Sequence, residues 1–459
     1  MLDVVRSFSL AFLALVLTGC QAESPDPSAT DDPHSALAEI VAGQGGLHPG
    51  LSGLQIVVLR GGEIVSSPTF GFARLTEQGQ DDLRTDHKVR VASISKLVTA
   101  IGVMQLVEQG RVDLDDDVSD WLGFNLRNPK FPDDPITVRQ LLAHTSSIRD
   151  GGRYWLLGEE VFSDFFLPDG ALFGEGAYFA DDHAPGSYFA YSNLGFGVLA
   201  GVIEVESGMR FDAYMRENVL LPLGLDIGFS PCDVTRRDPE LLAATFRKTD
   251  EDDNWTPDGP WRAQNDGEMV ACYVGMDRIP RAGDQPVSYL ADYKLGQNPT
   301  YFSPQGGLRA SAEDLATITQ MLLNRGSFNG VDILKAETVD AMLAPVWTYD
   351  PALQNGAHWG EAVEGGVEDG LMTSYGLSVH IADLKEWGLT EESQTLYGHL
   401  ATAYGLLGQL WFDPDTKDGV IILLTGTDDD PAASTPGSSP LYRVEEEILR
   451  WWVREYRSD

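Results

Sequence analysis

Lysine is scarce in this chain: eight of 459 residues, and 32 Lys and Arg together against 70 Asp and Glu, for a formal net charge of −38. A field of that sign repels phosphate backbones and anionic lipid headgroups, so nucleic-acid and anionic-lipid binding are set aside. An acidic, Lys-poor surface suits saline surroundings, and lineage composition unrelated to function accounts for it equally well. Cysteine is rarer still, with only Cys20, Cys232 and Cys272, too few for a disulfide scaffold. No Cys/His cluster has zinc spacing, and no cofactor or metal is expected. The patterns H-E-x-x-H, G-x-x-x-x-G-K-[ST] and G-x-S-x-G are all missing. Zinc-protease, P-loop and nucleophile-elbow readings thereby lose their sequence support. What is present is ordinary globular composition, 43% hydrophobic and 22% charged, in a chain long enough for two or three lobes at about 150 residues each.

The apolar run Ser7 to Leu17 is too short to span a bilayer and has the length of a signal-peptide core. It ends in Leu17-Thr18-Gly19-Cys20, which resembles the bacterial lipobox and implies cleavage before a lipidated Cys20; simple secretion with an incidental cysteine is the alternative. Residues 1–20 are therefore read as a lipoprotein signal peptide and 21–35 as a polar tether, with a catalytic domain from 36 to 459. No other stretch reaches the roughly 18 apolar residues of a membrane span, so the membrane is expected to be met through the N-terminal lipid alone. Export into an oxidising compartment leaves Cys232 and Cys272 as the one possible intramolecular disulfide, two buried thiols being the alternative.

Apolar runs Leu54 to Leu59 and Ile64 to Phe70 flank Arg60-Gly61-Gly62-Glu63 and predict a β-hairpin. Ser93 to Gln109 is apolar nearly all round and stops at Gly110, as a buried central helix should. Helical patterns also cover Val138 to Ala143, Leu194 to Glu206, Phe211 to Val219 and Ala312 to Leu323, the last behind Ser311 with Asp314 three residues on. Late strands are expected at Met372 to Ile381, Ala403 to Phe412 and Val420 to Thr425, and a closing helix at Leu441 to Tyr456. Strands, helices, then strands again, without βαβ alternation, give an α+β chain. The polar stretch 231–300, rich in Asp, Pro and Trp, reads as a loop-rich insertion: a lid over a site, or an elaborated surface.

At the opening of the buried helix stands Ser93-Ile94-Ser95-Lys96. A Ser and a Lys three residues apart share a helical face, so the amine can reach the hydroxyl. A desolvated Lys has its charged form disfavoured and can take the serine proton, while N–H groups at the helix start favour a developing oxyanion. With 29 Ser and eight Lys, chance supplies about half an S-x-x-K match, so the tetrapeptide alone is a weak signal. It does not stand alone. Gly110-Arg111-Val112-Asp113-Leu114 follows, then Gln140-Leu141-Leu142-Ala143-His144-Thr145-Ser146-Ser147, the sole Tyr-x-Asn at Tyr191-Ser192-Asn193, Pro222-Leu223-Gly224-Leu225, Gly306-Gly307-Leu308-Arg309 and Gly398-His399.

In this order and spacing the chain resembles the serine β-lactamase and penicillin-binding superfamily, from about Gly53 to Thr425, on the class C-like branch with family VIII esterases and D-amino-acid-specific peptidases. The resemblance implies an α/β sandwich lobe, an antiparallel sheet flanked by helices, with an all-helical lobe at about 90–225. It makes Ser93 the nucleophile, Lys96 its partner, Tyr191 the phenol that shuttles the proton, and Asn193 an amide that binds substrate. The third motif departs from the family's Lys-Thr-Gly or His-x-Gly, reading His399-Leu400-Ala401-Thr402. His399 fits the second form as a substrate-binding or a structural residue, and Thr402 aligns with the N–H that joins Ser93 in an oxyanion hole. Ala401, in place of glycine, is expected to press a methyl on the substrate space. His144 and Gly306-Gly307 are read as scaffold.

Three functions follow. A serine esterase or amidase acting through an acyl-enzyme is preferred; a β-lactamase or D,D-peptidase uses the same nucleophile on a carboxylate-bearing substrate; a catalytically dead surface binding protein is the third. The expected partner is a small ester, amide or β-lactam, and the oligomeric state is open.

Overall fold

In the computed structural model the described residues are 33–43, 50–77, 79–156, 160–235, 238–266, 293–357, 370–427 and 439–457. The signal segment, most of the tether, Cys20 and Cys272 lie outside them, so neither the lipid site nor the disulfide is addressed; Cys232 is buried.

The strands of the main sheet fall into two groups far apart in sequence. The first is β1 (Leu51–Arg60), β2 (Glu63–Ser66), β3 (Thr69–Thr76) and β4 (Gly79–Asp82). The second is β5 (Trp347–Thr348), β6 (Ser374–Tyr375), β7 (His380–Asp383), β8 (Thr395–Ala403), β9 (Leu406–Asp413) and β10 (Asp418–Thr427). They form one ten-stranded sheet, ordered β5-β6-β7-β8-β9-β10-β1-β3-β4 with β2 on β1. The seam is β1 against β10, antiparallel, with Ile56 opposite Ile422 and Val58 opposite Val420. The first and last parts of the domain thus close one sheet while the helical lobe is spun out between them.

Alternation decides which side each residue serves. Val57 and Leu59 of β1, Ile421 and Leu423 of β10 and Leu410 and Phe412 of β9 join the core that contains α2 (Ile94–Glu108), α3 (Leu194–Ser207) and α4 (Ala312–Leu323). Their neighbours Ile56, Val58, Ile422, Leu424, Leu407 and Trp411 face α1 (Pro33–Val41) and α5 (Arg443–Trp452) on the other side. Helix α2 is buried from Ile94 to Met104, as its all-round apolar pattern requires. Helix α4 starts with the expected capping box, Ser311 and Asp314 bonding each other's backbone N–H.

The hairpin is formed, Gly61 and Gly62 turning β1 into β2 with φ of 57° and 88°. Three expectations need correction. Met372 to Ile381 is two strands, because the chain turns between Gly376 and Val379 with Ser378 at φ 62°. The helix expected over Phe211 to Val219 is α only to Met215 and then widens into a π turn over Arg216–Leu220 ahead of Pro222. The tether is shorter than read, since α1 begins at Pro33 and buries Leu37. Among the described residues, β7 pairs with Thr395 to Gly398 of the strand carrying His399, and from His399 to Ala403 only β9 flanks β8. The insertion, within the described residues, contains a hairpin of Thr245–Lys248 with Trp261–Asn265. Its Phe246 carbonyl comes so near the β8–β9 turn that a Cβ on Gly405, at φ 85°, would lie 1.9 Å from it. Glycine is required there.

Candidate active site

Ser93 is the residue before α2, reached through Ala92, whose φ of 42° is uncommon for a residue with a side chain. The kink is held from outside: Val91 N–H bonds Leu308 O at 2.9 Å, and Leu308 N–H bonds Ser95 Oγ at 3.0 Å. Side chains of Ser93 and Lys96 return to one face of the first turn, with Lys96 Nζ 3.0 Å from Ser93 Oγ. Lys96 is fully buried and also donates to Asn193 Oδ1 at 2.7 Å and to the Gln305 carbonyl at 3.1 Å. The ring of Tyr191 lies beneath the amine, its centroid 4.6 Å from Nζ. The four residues singled out around the first two motifs, Ser93, Lys96, Tyr191 and Asn193, are therefore brought together. An amine here that has given up a proton can accept the one from Ser93, which is what nucleophile activation needs.

The loop bearing Tyr191 and Asn193 is fastened by a residue that sequence reasoning missed. Asp150 Oδ1 accepts Ser192 Oγ–H at 2.9 Å and Leu194 N–H at 2.8 Å, while Oδ2 accepts Asn193 N–H at 3.0 Å and Nδ2–H at 2.9 Å. Ionised acceptors make the stronger hydrogen bonds, so one carboxylate fixes three consecutive residues. Asn193 consequently links Asp150 to Lys96, and any substrate contact shares a carboxamide already engaged at both ends. His144 does scaffold work as read: its Nδ1 accepts Ser192 N–H at 3.1 Å and its ring stacks on Tyr191 at 4.3 Å. Burial, reinforced by Lys96, holds it neutral, well below the usual imidazole range. The Gly306-Gly307 stretch also behaves as scaffold, but the adjoining Gln305 carbonyl touches Lys96 directly. A Cβ on Gly307 would fall 2.8 Å from Ser303 O, so the turn closes only with glycine.

Across a cavity from Ser93 and Tyr191 lies the free end of β8, with His399, Leu400, Ala401 and Thr402 in the lining. His399 Nδ1 is 2.6 Å from Leu400 O, which can only accept, so Nδ1 carries the proton and Nε2 accepts from Tyr375 Oη at 3.0 Å. Desolvation, and secondarily Lys96, lowers its pKa to about 3. His399 is thus a neutral ring with both nitrogens occupied, and Tyr375 is a partner the sequence did not suggest. Ala401 sits opposite Gly408 of β9, where a Cβ would meet Ala401 Cβ at 3.2 Å and Ile94 Cδ1 at 3.4 Å. The extra methyl is absorbed between β8 and α2 by a glycine on the next strand, and Ala401 borders the cavity without filling it. Thr402 is exposed at the rim. Among the described residues no His/Cys/Asp/Glu group could hold a metal ion.

Known proteins resemble the chain in sequence and in fold. The Beta-lactamase family model matches residues 37–437. Penicillin-binding protein 4* of Bacillus subtilis is 32% identical over 175 residues, 37% of this chain and 36% of that protein. The D-alanyl-D-alanine-carboxypeptidase/endopeptidase AmpH of Escherichia coli is 30% identical over 236 residues, 49% of this chain and 57% of that one. The chain thus spans about a third to somewhat over half of the length of these curated relatives. In structure, the D-amino acid amidase of Ochrobactrum anthropi SV3 superposes with a TM-score of 0.60 at 18% identity, covering 93% of this chain and all of the other. That likeness is one of fold: the antiparallel sheet flanked by helices.

Proposed function

The chain belongs to the β-lactamase family, and from that premise we propose that it is a serine hydrolase that cleaves an ester or amide bond through a Ser93 acyl-enzyme. The observation that carries the reading is the 3.0 Å contact between Lys96 Nζ and Ser93 Oγ, with Ser93 at the wall of a cavity. Ser93 Oγ attacks the carbonyl carbon as its proton passes to the Lys96/Tyr191 pair, and the N–H groups of Ser93 and Thr402 take the oxyanion. Collapse breaks the bond to the leaving oxygen or nitrogen, which receives the proton through Tyr191. Water, losing a proton to the same pair, then releases the acid and restores Ser93.

A substrate without a carboxylate fits best, because among the described residues no Lys or Arg lines the cavity and His399 is neutral. The names of the two curated relatives favour the second reading, a penicillin-binding or D,D-peptidase activity. A turnover screen of short-chain p-nitrophenyl esters, D-amino-acid amides and nitrocefin separates the two; no turnover of any would contradict both. The Leu17-Thr18-Gly19-Cys20 sequence supports action at a bacterial cell envelope with Cys20 lipidated. Metabolic labelling with a palmitate analogue, lost in Cys20→Ala, tests that placement.

A further inference from the structure

The cavity beside Ser93 continues past Leu400 to the first turn of α5, where Leu441, Tyr442 and Glu445 close it. Hydrolysis as derived above leaves Glu445 unused. Glu445 and Glu446 are adjacent and both buried, yet they are employed differently. Glu446 Oε2 accepts the N–H and hydroxyl of Ser439 at 2.9 and 2.8 Å, and its Oε1 takes Arg450 Nε at 2.8 Å. Glu445 has a single long backbone contact, Tyr442 N–H at 3.3 Å, with the Gln409 carboxamide beside it. Around it the cavity is hydrocarbon, from Leu371, Met372, Leu400 and Leu441. Burial pushes its carboxyl up to about 7 against the help of Gln409 and Tyr442. An acid kept in such surroundings is costly unless a donor or cation reaches it. The charge of −38 draws cations toward the site.

Building on the hydrolase reading, we propose that Glu445 is a specificity-determining residue that takes the ammonium group of a cationic ester or amide, whose hydrocarbon stem lies between Leu371, Leu400 and Leu441. A site built around a polar contact discriminates strongly against analogues that lack it, since the buried group is then left unpaired. A purely capping Glu445 would have no such effect on substrate choice.

The test uses two isosteric pairs: p-nitrophenyl 4-(aminomethyl)benzoate against its 4-ethyl analogue, which places the amine on the acyl side, and 4-(aminomethyl)phenyl acetate against 4-ethylphenyl acetate, which places it on the leaving group. In one pair the ammonium member should exceed its ethyl partner in kcat/KM by at least about tenfold, and the ratio should fall to within about twofold in Glu445→Gln, which keeps a cap acceptor. Should that variant fold poorly, the wild-type protein suffices: benzylammonium should compete with ester turnover at least about tenfold better than benzyl alcohol. Equal ratios in wild type and Glu445→Gln, or no ammonium preference in either pair, overturn the assignment of Glu445 alone. No turnover of any member overturns the hydrolase reading on which it rests.

Discussion

On the wall formed by α2 and the Tyr191 loop, the polar groups are tied to one another: Lys96 to Ser93, Asn193 and Gln305, and Asn193 in turn to Asp150. The opposite wall, from the free end of β8 to α5, offers hydrocarbon, a neutral His399 and the lightly bonded Glu445. The first wall is pre-organised, so its geometry is set before any substrate arrives, as electrostatic catalysis requires. The second supplies shape and few polar contacts, as recognition of a small molecule requires. Chemistry and selectivity should therefore respond to mutation separately.

The largest effect is expected from Ser93→Ala, which should remove turnover of every substrate by several orders of magnitude with folding intact; residual activity within tenfold of wild type in a steady-state assay would break the comparison at its root. Next, Lys96→Ala and Tyr191→Phe should each cost nearly as much as the double variant, because one proton-transfer unit fails when either part is lost. Additive losses would mean that the two act independently. Asp150→Asn sharpens the same wall. Two of its four hydrogen bonds can be kept, and the loop should loosen by a fraction of an ångström. We expect kcat to fall roughly 10–100-fold with KM nearly unchanged, whereas a merely structural Asp150 would lower the thermal midpoint and leave the kcat of the folded fraction alone.

The recognition wall gives smaller effects. Glu445 has its carboxyl raised from 4.5 to about 7, so its contribution to stability is fully present below about 4.5 and lost as pH rises through 7. The Gln409 side chain on β9 and the backbone N–H of Tyr442, the residue before α5, are the groups acting on it, both uncharged. Urea titrations at pH 5 and pH 8 should show wild type losing about 2 kcal/mol relative to Glu445→Gln, and a pH-independent gap would mean that the carboxyl is solvated. Smallest is the substrate preference: kcat/KM for a short-chain aryl ester should exceed that for nitrocefin by about tenfold, or roughly 1.4 kcal/mol. An equal or reversed ratio at physiological salt would restore the penicillin-directed reading.

What the sequence revealed follows the range over which each feature is determined. Ser93 and Lys96 were legible because one helical turn brings them together, and α2 and the capping box of α4 because periodicity and caps are local. The meeting of Lys96 with Asn193, 97 residues away, was legible only through family resemblance. Asp150 lies just beyond the His144-Thr145-Ser146-Ser147 motif, the one signal near it, and no local pattern shows that it will face residues 42 to 44 positions later. The Gly408 opposite Ala401 was not legible, because only the β8–β9 register reveals it. Tyr375 and Glu445 were missed because tertiary packing alone brings Tyr375 to His399 and Glu445 to the cavity.

The central claim is that Ser93 is an activated nucleophile and that Lys96 activates it. Peptide mapping by mass spectrometry after brief exposure to a fluorophosphonate tests this most directly. The account predicts one adduct, on Ser93, formed in wild type and slowed at least a hundredfold in Lys96→Ala, roughly 2.7 kcal/mol of activation. An adduct on another residue, or equal labelling of Ser93 with and without Lys96, would contradict it.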